Sequence, residues 1–322
     1  MVVKYLKKTI IKNLFLSKKV FISAHKNIDL DAFASMAGFS LISKKLGKET
    51  YLVIEQKDIE LSTKEAIEKL EKTLKIISVR EAKELIDERS SLIVLDTNKP
   101  KLMECETLLD KFNKIIVIDH HAKTPDTLNT PNLFIEENAT SASQLVAELL
   151  SSFKVKIPKS YATVLLSGIA LDTNNFAYKM SRKAFYYCYY LTSRGGDINE
   201  AQMILKQDIK EYVNRSKMIA DTQIINDEIA IAKGQRGRIY TSQELAKAAD
   251  LLLSFKGIKN SFAIGYLDKN LIGVSARSVN KVNVGKIMEA FGGGGNKTEA
   301  AAKIENTTIK KVEEEILESI NK

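Results

Sequence analysis

The first half of the chain alternates short runs of branched aliphatic residues with segments of helical spacing, and no other feature limits the fold as much. The runs are VFISAH (Val20–His25), TYLVIE (Thr50–Glu55), LKIISV (Leu74–Val79), SLIVLDT (Ser91–Thr97) and KIIVIDHH (Lys114–His121). A strand with one wet face would alternate apolar and polar residues, and these runs do not. Between them lie DLDAFASMAGFSLISKKLG (Asp29–Gly47), a charged helical stretch at Thr63–Thr73, and REAKELIDE (Arg80–Glu88). Strand, helix, strand in repetition predicts an α/β domain with a mostly parallel sheet and helices on both faces. A short helix is expected around Met103–Phe112, and LFIEE (Leu133–Glu137) adds a strand.

From Ala139 to about Tyr190 the spacing is helical, and Gly195 and Gly196 break it. Tyr186, Tyr187, Tyr189 and Tyr190 fall at helical spacing in an apolar stretch and read as packing residues, not base platforms. Residues 196–222 read as a helical connector, which leaves 1–195 as the parallel-sheet domain and 223–322 as a smaller α+β domain facing it across a cleft. The smaller domain offers strand IAIAKG, helix SQELAKAADLLLSF, and a pair SFAIGYLD/LIGVSAR turning at Lys269–Asn270. FGGGGNKTEAAA follows, with NKTEAAA read as helical, and a charged helix TIKKVEEEILESI comes last.

A chain of 322 residues suffices for two such cores. No apolar run approaches the ~20 residues that cross a bilayer. Lysines interrupt the N-terminal MVVKYLKKTIIKNLFLSKK throughout, so it reads as an amphipathic helix packed on the body, not as a signal peptide. Cys105 and Cys188 lack CxxC spacing and point to reduced thiols in a cytoplasmic protein. The formal charge of +9 favours anionic partners. Lysine is spread along the chain, however, so charge alone does not separate a nucleic-acid groove from a solvated basic surface.

Chemistry in a parallel sheet gathers beyond the carboxyl ends of its strands. The first strand delivers His25, with Asp29 and Asp31 just after it; a later one delivers Asp96; the next delivers Asp119, His120 and His121. All three histidines of the chain therefore sit at predicted strand ends. Asp172 ends the helical run LLSGIALD. A single aspartate after a strand is ordinarily an N-cap, but five carboxylates converging on one edge need cations to compensate them. Carboxylate with imidazole suits a borderline or hard divalent ion, Mn2+ foremost. Two ions sharing a carboxylate would resolve the repulsion and serve a phosphoryl displacement.

HxxxDxD, a strand-terminal Asp, DHH and a helical Asp, in that order, resemble the DHH phosphoesterase family. The tail resembles its associated C-terminal domain through SAR (Ser275–Arg277) and GGGGN (Gly292–Asn296). Within the family the likeness is greatest to the catalytic unit of bacterial cyclic di-AMP phosphodiesterases. The resemblance implies two divalent ions. His25, Asp29 and Asp96 would hold one, and Asp31, Asp96, His120 and Asp172 the other, with Asp96 bridging. Asp119 would orient a ligand histidine, and His121 would face the scissile phosphate as hydroxide attacks in line. Arg277, by a bidentate fork, and Ser275 would grip a phosphate, with Gly293, Gly294, Gly295 and Asn296 forming an anion nest.

The implied substrate is a cyclic dinucleotide, opened to pApA and onward to AMP, or a short oligonucleotide as in nanoRNase and pAp phosphatase relatives. A nucleotide-binding sensor without turnover is the reading from another class. Neither stable duplex DNA binding nor a membrane segment is expected. The family allows a homodimer, although the periodicity marks no interface. Three positions depart from the family pattern: NIDLD replaces a proline-containing motif, Gln144 stands where an acid is common, and Asn296 replaces a histidine. The last substitution cannot carry a charge or shuttle a proton.

Overall fold

The apolar runs of the first half become strands whose alternate side chains enter two different cores. The computed structural model describes residues 2–55, 59–177, 180–206, 208–279 and 282–320, and it divides into units of residues 1–206 and 207–322. In the first unit β1 (Lys19–Ser23), β2 (Glu49–Val53), β3 (Ile76–Ile77), β4 (Ser90–Leu95), β5 (Ile115–Asp119) and β6 (Leu133–Ile135) form one sheet. Its order is β3-β2-β1-β4-β5-β6, with every neighbouring pair parallel. Val20, Ile22, Ile93, Leu95, Ile116 and Ile118 pack into one core, and Phe21, Leu92, Val94 and Val117 into the other. A polar side chain on either face would lose its water, which is why the buried polar residues of β1, β2 and β4 are the small hydroxyls Ser23, Thr50, Ser90 and Ser91.

The helices of this unit are α1 (Val2–Leu14), α2 (Leu30–Lys45), α3 (Leu61–Leu70), α4 (Val79–Leu85), α5 (Ala142–Ser152), α6 (Lys159–Asp172), α7 (Arg182–Ser193) and α8 (Ile198–Ile204). Helix α2 packs against α5 and α6 and against β1 and β2, so it is apolar nearly all round. Its Phe33, Met36 and Phe39 are fully buried, each contributing about 1.5–3 kcal/mol. The amphipathic α1 does pack on the body, through Leu6, Ile10 and Leu14. Side-chain caps at Asp29, Ser78, Ser141, Ser181 and Asp197 start five of the helices. The strand order reverses between β1 and β4, and the crevice beyond their carboxyl ends is where a parallel sheet exposes its binding groups.

Three local expectations change. The run Leu74–Val79 yields only a two-residue strand, because Ser78 leaves the sheet to form a capping box with Glu81 at the start of α4. The helix expected at Met103–Phe112 is a 3-10 segment at Glu106–Lys111. The four tyrosines of α7 are not all packing residues: Tyr190 is buried, but Tyr186 and Tyr189 are 56% and 70% exposed. The helix turns Ala184 and Leu191 inward instead, and the aromatic run is too long for one buried stripe.

The second unit contains α9 (Ile209–Ala220), β7 (Gln223–Ile225), β8 (Ile229–Lys233), α10 (Ser242–Leu253), β9 (Asn260–Asp268), β10 (Leu271–Ser278), α11 (Val284–Ala290), β11 (Gly294–Gly295), β12 (Glu299–Glu305) and α12 (Ile309–Ile320). Its sheet runs β11-β12-β10-β9-β8-β7, antiparallel except for the β8–β9 pair. Residues 196–222, read as a connector, hold α8 at the end of the first unit and α9 at the start of the second. NKTEAAA is not helical. Its alanines pair with β10, with Ala300 and Ala302 buried and Glu299, Ala301 and Lys303 exposed, so strand pairing overrides the helix propensity of alanine. Among the described residues no helix is long and apolar enough to cross a membrane.

Candidate functional site

The carboxyl edge of the first sheet gathers every strand-end acid and imidazole singled out in the sequence. His25 follows β1, and its Nδ1–H donates to the Lys26 carbonyl at 2.8 Å. That bond leaves Nε2 facing Asp29 Oδ2 at 3.6 Å and Asp96 Oδ2 at 3.7 Å. Asp29 is both an N-cap and a site residue: its Oδ1 accepts the Ala32 N–H while Oδ2 faces His25. Asp31, fully buried in the first turn of α2, accepts the N–H groups of Ala142 and Ser143 at 2.7 and 3.0 Å. The amino end of α5 thus fixes a carboxylate from α2.

Asp96 leaves β4 with φ +58°, a left-handed conformation that costs an aspartate about 1–3 kcal/mol. The turn aims its carboxylate at the centre of the group. Oδ1 lies 3.2 Å from His120 Nε2, and His120 Nε2 lies 3.4 Å from Asp172 Oδ2 at the end of α6. Asp119, fully buried, accepts the backbone N–H of His120 and of His121 on Oδ1, and the His121 Nδ1–H at 2.8 Å. The ring it holds is that of His121, whose Nδ1 also lies 3.7 Å from Asp96 Oδ1. His121 keeps Nε2 for another partner, and its side chain is 56% exposed.

These contacts set the protonation of the edge. Burial pulls His25 down, but the hydrogen bond to Asp29 and the charges of Asp29 and Asp96 outweigh it and raise the group to about 10. His120 is likewise opposed by burial and lifted by Asp96, Asp31 and Asp119 to about 9. Burial first, and then the charge of Asp96, raises Asp31 to about 7.

A metal fits this arrangement on the geometry itself. Three overlapping sets, His25–Asp29–Asp96, Asp31–His120–Asp172 and Asp96–Asp119–His120–His121, each bring their donor atoms within 4.8 Å of one another. Asp96 Oδ1 and His120 Nε2 are buried without a hydrogen-bond partner, as donor atoms left for an ion would be. Carboxylate and imidazole together suit a borderline or hard divalent ion.

Sequence reasoning missed two supports. Asn98 donates Nδ2–H to Asp119 Oδ2 at 2.8 Å and so fixes the acid that fixes His121. Gly168 of α6 faces Asp31, where a Cβ would lie 2.9 Å from Oδ1. Asn98 stands two residues after Asp96 in LDTN, and its position was the available signal.

In the second unit a cavity of about 620 Å³ is lined by Ser275, Arg277 and Gly293–Gly295, with Ser242 and Gln243 of α10 on another wall. The glycine run does not open a helix. Gly292 and Gly293 donate their N–H groups to Glu289 and Met288 at the end of α11, and Gly292 takes φ +74°. Gly293 lies so close to β12 that a Cβ would come within 2.2 Å of the Ala301 carbonyl. Close approach therefore accounts for Gly293, one of the three glycines assigned to the anion nest, and helix termination for Gly292. Asn296 is not among the lining residues: its Oδ1 accepts N–H groups of Thr298 and Glu299 and ties the turn into β12. The expected bidentate fork of Arg277 is engaged by Asp250.

Residues 19–169 match the DHH family, N-terminal domain, and residues 221–322 match the DHHA1 domain. The chain is 36% identical over 312 residues to the cyclic-di-AMP phosphodiesterase GdpP of Geobacillus thermodenitrificans, an alignment covering 95% of this chain and 47% of that protein. The bifunctional oligoribonuclease and PAP phosphatase NrnA of Mycoplasma genitalium is 31% identical over 224 residues, covering 66% of this chain and 69% of NrnA. The crystal structure of an exopolyphosphatase-related protein from Bacteroides fragilis superposes with TM-score 0.82 at 19% identity, over 99% of this chain and 96% of that one, and shares the fold. The chain belongs to the DHH phosphoesterase family. It spans about half the length of the cyclic-di-AMP phosphodiesterase it matches.

Proposed function

We propose that the protein is a metal-dependent phosphodiesterase that opens cyclic di-AMP to pApA and cleaves pApA onward to AMP. The observation that carries this reading is the pair of donor sets meeting at one edge, His25–Asp29–Asp96 and Asp31–His120–Asp172, with Asp96 Oδ1 3.2 Å from the second set's imidazole. We assign His25, Asp29 and Asp96 to one ion and Asp31, Asp96, His120 and Asp172 to the other. Mn2+ suits this mixture of carboxylates and imidazoles. Two divalent ions, when bound, supply an acidified water and positive charge for a phosphoryl displacement.

The protein's own groups do the rest. Asp119 accepts the His121 Nδ1–H and, against the burial that opposes it, favours the protonated ring, so that the imidazolium can donate its Nε2–H to a phosphoryl oxygen as charge develops on it. Asn98 and the backbone N–H groups hold Asp119 in place. In the second unit Arg277 and Ser275 offer N–H and O–H donors to a second phosphate. The identity to GdpP over nearly the whole chain supports a cyclic dinucleotide substrate. The NrnA relative supports a second reading, hydrolysis of very short oligoribonucleotides or pAp by the same centre. Free Cys105 and Cys188 agree with a cytoplasmic setting.

The test is turnover with Mn2+ on cyclic di-AMP, cyclic di-GMP, pApA, pAp and a short RNA. Highest kcat/KM on cyclic di-AMP, lost with chelator, is expected. Preference for pAp or RNA would select the second reading, and tight binding without turnover would make the protein a sensor.

A further inference from the structure

The guanidinium that lines the second-unit cavity is held from behind by a carboxylate. Arg277 Nε donates to Asp250 Oδ1 at 2.5 Å, and Nη2 lies 3.5 Å from Asp250 Oδ2. At the other end Nη1 donates to the Ser275 hydroxyl at 3.2 Å and to the Ala276 carbonyl at 3.1 Å. Ser275 and Arg277 lie two residues apart on β10, on one face of the sheet, and both line the cavity. Asp250 comes from the third turn of α10, is absent from the lining, and is 57% exposed in its side chain, against 14% for Arg277. The arginine is thus clamped between an outer acid and an inner hydroxyl.

A guanidinium has one edge, Nε–Nη2, that matches a carboxylate or phosphate in two parallel bonds. Here a carboxylate of the protein occupies that edge. A long arginine side chain carries about 2 kcal/mol of rotamer entropy, and left alone it would sample positions across a cavity wall of alanines and glycines. Pinned at both ends, it keeps one orientation. We propose that Asp250 is a positioning residue: it holds Arg277 by the Nε–Nη2 edge so that the remaining Nη2–H and the Ser275 hydroxyl proton meet a substrate phosphate. The inference rests on the reading of Arg277 and Ser275 as substrate-binding groups. It refines that reading, because the phosphate is met by an arginine nitrogen paired with a serine hydroxyl and not by a two-nitrogen fork.

The test compares the full chain with Asp250→Ala, Asp250→Glu, Arg277→Ala and the Asp250→Ala/Arg277→Ala double variant, with metal content and Tm as controls. With Mn2+ and cyclic di-AMP, Asp250→Ala should raise KM about tenfold, the scale of a lost charge-assisted bond, while kcat stays within about twofold. Asp250→Glu should recover most of the loss. The double variant should be no worse than Arg277→Ala, because the acid acts through the arginine. Unchanged KM, a lower KM from removing a competing carboxylate, or losses that multiply in the double variant would each overturn the proposal. If the wild type turns over nothing in the substrate panel, the functional reading fails instead. Positioning is then decided by calorimetric Kd for pApA, where about tenfold weaker binding by Asp250→Ala supports it and equal binding overturns it.

Discussion

Asp96 Oδ1 and His120 Nε2 lie 3.2 Å apart, both buried and both without a hydrogen-bond partner. Asp96 Oδ2 faces His25 at 3.7 Å, so one carboxylate touches both donor sets. Replacing it with asparagine keeps the volume and removes the anion that the two sets share. Asp96→Asn should reduce turnover by about 10²–10³-fold or more and lower the Mn2+ retained after gel filtration. A variant with near-normal rate and full metal content would contradict the assignment of Asp96 as the bridge.

Protons occupy the edge when no ion does. Against burial, the charges of Asp29 and Asp96 raise His25 and those of Asp96, Asp31 and Asp119 raise His120; burial with Asp96 raises Asp31, so all three groups are shifted toward their protonated forms. An ion binds the neutral imidazole and the ionised carboxylate, so loading must expel these protons. Raised pKa values mean that protons compete best at low pH. Metal affinity should therefore climb from pH 6 to pH 9, with net release of protons on loading at pH 7. Calorimetry in buffers of different ionisation enthalpy counts them. A pH-independent affinity with no proton release would show that the imidazoles are not ligands.

Asn98 acts one step further out. Its Nδ2 donates to Asp119, whose other oxygen holds the His121 ring. Asn98→Ala leaves a fully buried carboxylate short of a donor, at about 1–3 kcal/mol of stability. The His121 ring also loses its fixed orientation, which should lower kcat about 10–100-fold with little change in KM. Thermal unfolding and steady-state kinetics on the same preparations check both. A fall in Tm with unchanged kcat would make Asn98 structural only.

How much of this was legible follows from what each residue type can do alone. An apolar run without alternation allows a buried parallel strand, and a carboxylate or imidazole at its end has few structural reasons to be there, so β1, β4, β5 and the residues after them were readable. The NKTEAAA stretch was not. Alanine favours a helix locally, and pairing with Val274 and its neighbours on β10 on one side and with Gly294 and Gly295 of β11 on the other makes it a strand. The glycine run suggested an anion nest, whereas contact with the Ala301 carbonyl and the end of α11 accounts for Gly292 and Gly293. Asp250 was hidden for the same reason: it lies 27 residues from Arg277, and nothing in helix periodicity says which exposed acid of α10 will meet a β10 side chain. Fields of short-range signals fail where a long-range contact decides.

Gly168 joins packing to the site most directly. It sits on α6 where α2 and α5 converge, and an added Cβ would lie 2.3 Å from Ser143 Oγ, 2.9 Å from Asp31 Oδ1 and 3.0 Å from the Ala34 Cβ. Ser143 and Asp31 are already joined, the Ser143 N–H donating to Asp31 at 3.0 Å, so neither can move without disturbing the other. Gly168→Ala should therefore destabilise the protein by about 1–3 kcal/mol and weaken metal binding as Asp31 is displaced. Adding Ser143→Ala removes the nearest clashing atom but keeps the backbone N–H that holds Asp31, so the double variant should regain part of both losses. Tm and Mn2+ affinity measured on the two variants decide the matter. A Gly168→Ala protein with wild-type Tm and metal affinity would mean that Asp31 has room to shift and that the convergence of the three helices does not fix the site.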